Sequence, residues 1–113
     1  MKRLLTLLLL AIIATITPAC SREPIKALII SGQNNHNWQV SHLVLQKILD
    51  QSGLFTSDIV LTAKAGGDMS TFRPNFSDYD VVVLDYNGDR WSAETDAAFL
   101  EYVKAGGGVV IYH

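Results

Sequence analysis

At 113 residues, with 18% charged residues and a formal net charge of -2, the chain carries no basic stripe of the kind that binds nucleic acid. Its two leading basic residues, Lys2 and Arg3, precede an apolar leader, and every acidic residue lies beyond Cys20, so the remainder is more acidic than the whole. A single cysteine excludes an intrachain disulfide.

Residues 1–19 read as a secretion signal. Leu4 to Ile16 is apolar apart from Thr6 and Thr15, and small residues close the segment at Ala19 and Cys20. The run is short for a membrane span of about 20 residues, and Pro18 suits a cleavage region better than an uncleaved anchor helix. Cys20 follows Thr17-Pro18-Ala19 and resembles a lipobox cysteine, although Thr17 stands where leucine is usual. The expectation is a lipidated Cys20 at the mature N-terminus, with residues 20–24 as tether. The protein is then exported and attached to a membrane by its lipid, as a periplasmic or outer-membrane-anchored bacterial lipoprotein.

From residue 25 the pattern alternates between two periods. Ile25 to Ser31 is a compact apolar run, as in a strand buried on both faces. Gly32 to Trp38 is a polar loop. From Gln39 to Ser52 the residues Val40, Leu43, Val44 and Ile48 recur at helical spacing, and Gly53 is a stop signal. Asp58 to Ala63 predicts a second strand, and Lys64 to Ser77 a Gly- and Pro-containing connection. Tyr79 to Tyr86 is the strongest strand signal. Ser92 is placed to cap a helix with Glu94 and Asp96 in its first turn and Phe99, Leu100 and Val103 on its apolar face. Gly106 to Gly108 ends that helix, and Gly108 to His113 is a fourth strand.

This order predicts an α/β fold, a parallel sheet with flanking helices. The last strand reaches His113 with no covering helix after it, so residues 25–113 are expected to be the N-terminal part of a larger domain.

Ligands of open parallel sheets bind beyond the carboxyl ends of the strands. Three polar clusters fall there: Ser31 to Trp38, Asp85 to Trp91, and Tyr112-His113. His36 stands in an amide-rich loop at a helix start, where it could act as a base, bind a metal or simply bond within the loop. His113 ends a strand at the same edge. Together the two histidines are candidate catalytic residues and candidate ligands of a divalent metal such as zinc. Two ligands fall short of the three usual at catalytic zinc, so a third would come from Asp85, Asp89 or further chain. Asn34, Asn35, Asp85, Asn87 and Asp89 are candidate substrate-binding groups, with Arg90 beside them and Trp38 or Trp91 available to stack on a sugar ring. Asn87-Gly88 is also a turn signal, Trp91 is equally explained by packing, His42 reads as structural or solvent-facing, and Asp68 as a loop residue.

The runs GQNNHNW (Gly32 to Trp38), YDVVVLDYNGDRW (Tyr79 to Trp91) and GGGVVIYH (Gly106 to His113), with DMSTFRPNFSDYD between them, resemble the ThuA-like (trehalose-utilisation) family. The resemblance runs from Ile25 to His113 and implies a flavodoxin-like sheet similar to class I glutamine amidotransferases. In those enzymes the strand like Val109 to Tyr112 leads to a catalytic cysteine. Here His113 stands at about that place and Cys20 belongs to the leader, so thiolate-dependent glutamine hydrolysis is not implied. The resemblance implies a role in using trehalose or related keto-sugars, with His36 and His113 as site residues. The competing readings are a non-catalytic sugar-binding or scaffold lipoprotein on the same fold, and a hydrolase whose nucleophile lies past His113.

Overall fold

The computed structural model describes residues 22–112. The expected signal peptide, Cys20 and His113 lie outside the described residues.

Four parallel strands form one sheet in the order β2-β1-β3-β4, with β1 at Ile25–Ser31, β2 at Phe55–Leu61, β3 at Val81–Leu84 and β4 at Gly108–Ile111. Helix α1 (Trp38–Gln51) connects β1 to β2, and α2 (Ala93–Lys104) connects β3 to β4. A 3-10 turn, Phe76–Asp78, precedes β3. The architecture is α/β with a parallel sheet, as the alternation of periods predicts, and flavodoxin-like, as the resemblance implies. Chain progression reverses between β1 and β3, so the two crossovers run to opposite sides and a crevice opens between these strands at their carboxyl ends.

β1 forms over the predicted residues, and Ala27 to Ile30 are fully buried because β1 has a neighbour on each side and cover on each face. β2 starts three residues earlier than the apolar pattern suggests. Its first half, Phe55 to Asp58, alternates half-buried with exposed positions, and pairing from Ile25 with Phe55 to Ser31 with Leu61 decides its length. Gly32 lies at φ 124°, where its lack of a side chain lets the chain pass Thr62: a Cβ there would stand 2.6 Å from the Thr62 hydroxyl.

The sheet's two faces differ. Leu28, Ile30 and Val82 meet Phe72, Phe76 and Tyr102 in the buried core, with Trp91 and Phe99 packed against it. Ser92 caps α2, accepting from the Thr95 N–H at 3.2 Å. The inward side of α2 is Thr95, Phe99 and Tyr102 rather than the predicted Phe99, Leu100 and Val103. Leu100 and Val103 are exposed, while the hydroxyl of Thr95 donates to the Phe72 carbonyl and that of Tyr102 to the Gly108 carbonyl. These two bonds, one to the segment before β3 and one to the start of β4, hold the helix's rotation, and the apolar spacing does not contain them.

A similar correction applies to α1, which packs on β1 and β2 with buried His42 and half-buried Trp38, Ser41, Leu45 and Leu49 facing inward. Val40, Leu43, Val44 and Ile48, the predicted apolar face, are about half exposed. The helix is apolar on more than one side, so periodicity alone offers two faces to bury. Over β3 and β4 on this side Val110 and Tyr112 are also exposed.

Candidate functional site

The crevice between β1 and β3 is organised around Asp85, the first residue after β3. Its backbone N–H donates to the Ile30 carbonyl at 2.9 Å, continuing the strand pairing and holding the residue beside Ser31. The carboxylate is fully buried. Its Oδ2 accepts from the Ser31 hydroxyl at 3.1 Å and from the Ser41 hydroxyl at 2.5 Å, and its Oδ1 accepts from Asn34 Nδ2 at 3.1 Å. A carboxylate out of water persists where donors satisfy it, and here β1, the following loop and α1 each supply one.

Asn34 passes this order outward. Its Oδ1 accepts from the backbone N–H of His36 at 3.3 Å. His36 is exposed, and its ring lies 6.2 Å from that of Tyr112, centroid to centroid, at 52°. Tyr112 is held at the end of β4 by its N–H, which donates to the Leu84 carbonyl at 2.9 Å. The loop after β1 and the end of β4 thus meet over the crevice. Beside them an open groove of about 360 Å³ runs along α1, lined by His36, Asn37, Val40, Ser41, Val44 and Tyr112 among others. A larger recess of about 470 Å³ lies past the end of β2, with Arg73 as its only charged lining group. We place the candidate site at the crevice, where the polar and titratable groups converge.

A second knot closes the other flank. Gln33 Nε2 donates to the Ala63 carbonyl at 2.8 Å, while Gln33 Oε1 accepts from the Asp89 N–H at 2.9 Å. The Gln33 carbonyl accepts from the Asn87 N–H at 2.9 Å. Asp89 Oδ2 accepts from the Gly66 N–H at 2.6 Å, and its carbonyl from the Tyr86 hydroxyl at 2.5 Å. One buried glutamine therefore clamps the loops that follow β1, β2 and β3. Burial pushes the Tyr86 phenol above its ordinary value; the Asp89 charge adds to this, while the Thr62 and Trp91 side chains oppose it.

Among the residues singled out from sequence, Asn34, His36 and Asp85 are brought into one bonded chain. Asn35 and Asn87 are exposed at the same edge. Asp89 is exposed but engaged in holding loops together. Trp38 is half-buried and stacks on His42 at 5.9 Å and 27°, which gives one of its faces to packing. Trp91 sits 5.3 Å from Phe72 and 5.5 Å from Phe99, inside the aromatic layer. Arg90 reaches outward to Asp96 at 2.8 Å. His42 is buried, its Nδ1 without a hydrogen-bond partner among the described residues. Asp68 is a loop residue, held below the usual carboxylate range by the Ser70 backbone N–H and hydroxyl.

Sequence reasoning missed Ser31, Gln33 and Ser41. Hydroxyls and amides are common in loops, and the one available signal was that Ser31 closes the apolar strand and Gln33 follows it within the polar cluster at the sheet's carboxyl edge. Zinc chemistry needs three ligands. Among the described residues no group of three or more His, Cys, Asp or Glu could hold a metal ion. The described residues alone do not fit a catalytic zinc centre.

With this geometry in place, one solved structure is informative. Over 80% of its length the chain matches a crystal structure from Parabacteroides merdae ATCC 43184, with 63% identity and a TM-score of 0.78. That protein is described as ThuA-like. The chain spans 33% of the ThuA-like protein's length, so it corresponds to one part of a larger molecule there. No protein-family model and no curated protein matches the chain. Identity of this degree over most of the chain supports the ThuA-like resemblance read from Gly32 to Trp38 and Tyr79 to Trp91, and with it the parallel fold.

Proposed function

We propose that the chain belongs to the ThuA-like family, within the class I glutamine amidotransferase-like superfamily, and forms one wall of a carbohydrate site used in processing trehalose or a related keto-sugar. The observation that carries this reading is the meeting of His36 and Tyr112, ring centroids 6.2 Å apart, above half-buried Asn34 and the buried Asp85 it bonds at the sheet's carboxyl edge. Carboxamides at Asn34, Asn35 and Asn87 offer both donors and acceptors to sugar hydroxyls. The tyrosine ring supplies an apolar face, and an imidazole is a group able to serve as general acid or base. His113, next to Tyr112, is a second imidazole in this proposal. A divalent metal held by both histidines would add Lewis-acid chemistry, with its third ligand from outside the described residues. Export and a lipid on Cys20 complete the proposal, which places the site where the protein meets glycans outside the cytoplasm.

The non-catalytic reading gains from one observation: the carboxylates of Asp85 and Asp89 are engaged within the protein. Calorimetric titration of the protein with trehalose and with keto-disaccharides, with and without zinc, followed by product analysis, separates the two. Turnover establishes the enzyme, and saturable binding without product establishes the binding protein. His36→Ala should weaken binding by about tenfold or more, the scale of one lost charged or directional contact, with the circular dichroism spectrum unchanged. Parent-like behaviour of this variant removes His36 from the site. Mass spectrometry of the mature N-terminus reads lipidation of Cys20 directly.

A further inference from the structure

We propose that Asp85 is a positioning residue, which through the Asn34 carboxamide sets the backbone at His36 and so presents the imidazole to Tyr112. The inference rests on reading His36 as a site residue, and extends it to the groups behind that side chain.

The argument turns on what each atom can donate. A carboxylate only accepts. Ser31 and Ser41 occupy Oδ2 of Asp85, at 3.1 and 2.5 Å, and Asn34 takes Oδ1 at 3.1 Å. Facing an acceptor, Asn34 has to turn its NH2 group inward, which leaves its own oxygen outward. That oxygen accepts the His36 N–H at 3.3 Å. With an ordinary amide at position 85 the Asn34 carboxamide could sit either way round, and in one of them its NH2 would face the His36 N–H, donor against donor. A negative charge inside the protein is costly to keep, and a neutral side chain of the same shape would satisfy the two serines equally well. Fixing the direction of the Asn34 amide is what the charge achieves and the neutral isostere does not.

This predicts a donor–acceptor exchange that can be tested in the full-length chain by following the nuclear Overhauser contact between the His36 and Tyr112 rings. In Asp85→Asn the population showing that contact should fall by up to about tenfold, the equivalent of one hydrogen bond. Asn34→Asp places two carboxylates together and should lose the contact as well. The double variant Asp85→Asn with Asn34→Asp places the donor at 85 and an acceptor pair at 34, re-forming the pairing with its direction reversed, and the contact should return. Asn34→Ala removes the link without adding charge, and serves if Asn34→Asp does not fold; it should also lose the contact. Ser41→Ala is the control for simple stabilisation, lowering the melting temperature while keeping the contact. An unchanged contact in Asp85→Asn and Asn34→Ala, or a double variant that does not recover it, overturns the proposal. The readout requires no ligand. Absence of sugar binding in the parent would therefore refute the carbohydrate reading while leaving the positioning result to stand or fall separately.

Discussion

On the α2 side the sheet meets a layer of aromatic rings, Phe72, Phe76, Trp91, Phe99 and Tyr102, with neighbouring centroids 5.2 to 6.2 Å apart. On the α1 side it meets Asp85, Ser31 and Ser41 at the carboxyl edge, while Val40, Val44 and Ile48 remain about half exposed. The first face gains stability from non-directional burial and from ring pairs worth about 0.5–1.5 kcal/mol each. The second holds a charged group whose bonds are directional and whose burial carries a cost. One strand pair thus serves both purposes, because alternate residues of β1 and β3 point to opposite faces. Leu28, Ile30 and Val82 face the rings, whereas Ser31 and Asp85 face α1.

The largest test of this contrast is truncation on each face. Phe76→Ala, at a residue 3% exposed in the centre of the aromatic layer, should destabilise the protein by about 3–5 kcal/mol in urea unfolding. Ile48→Ala, at 61% exposure on the outer side of α1, should stay within about 0.5 kcal/mol. Similar losses at the two positions would mean that the outer face of α1 is covered in solution.

Next in size is Gly88→Ala, which sharpens the comparison at the polar edge. A Cβ on Gly88 would collide with the Gln33 side chain, including its Cβ, and so cannot be relieved by moving the amide end alone. Overpacking there should cost about 1–3 kcal/mol and release the clamp that joins the three loops. Faster amide exchange at Asn87 and Asp89 reports that release, and unaltered exchange would show that Gln33 does not hold them.

The smallest effect concerns the tyrosines. Burial is the largest cause raising Tyr79, Tyr86 and Tyr102 above their ordinary value, and the Asp58 carboxylate that accepts the Tyr79 hydroxyl adds to it for that residue. In each case the folded state binds the proton more tightly than the unfolded chain. Their stabilisation is complete below the unfolded value near pH 10 and is lost as pH rises through the higher folded values. Tyr79→Phe deletes one of these ionisations, so its urea midpoint should fall less steeply than the parent's above about pH 10. Equal slopes would show that Tyr79 titrates alike in both states.

Much of the fold was legible because local rules and tertiary context agree. Ile25 to Ser31 could be little else than a buried strand, and Ser92 caps α2 as its spacing to Thr95 requires. β3 and β4 end earlier than predicted, at Leu84 and Ile111, because pairing stops there and Asp85 and Tyr112 continue as single bonded residues at the site. The turn at Phe76–Asp78 falls at the end of the stretch read as connection, Lys64 to Ser77; its backbone bonds are local, from Asp78 N–H to Asn75 and from Tyr79 N–H to Phe76, and Phe76 packs into the core.

By itself the sequence determined the alternation of strand and helix, hence a parallel sheet, and placed Asn34, His36, Asp85 and Tyr112 at its carboxyl edge through strand polarity alone. It also carried the runs that resemble the ThuA-like family. Only the tertiary structure decided which side of each helix turns inward, because α1 and α2 offer more than one apolar face and the choice is made by contacts from elsewhere in the chain, such as the Thr95 hydroxyl to the Phe72 carbonyl. Likewise only the fold converted Asp85 from a candidate ligand group into the acceptor of Ser31, Asn34 and Ser41. Hydrogen-bond partners 44 to 54 residues away leave no periodic trace in a chain, since they depend on where strands end in space.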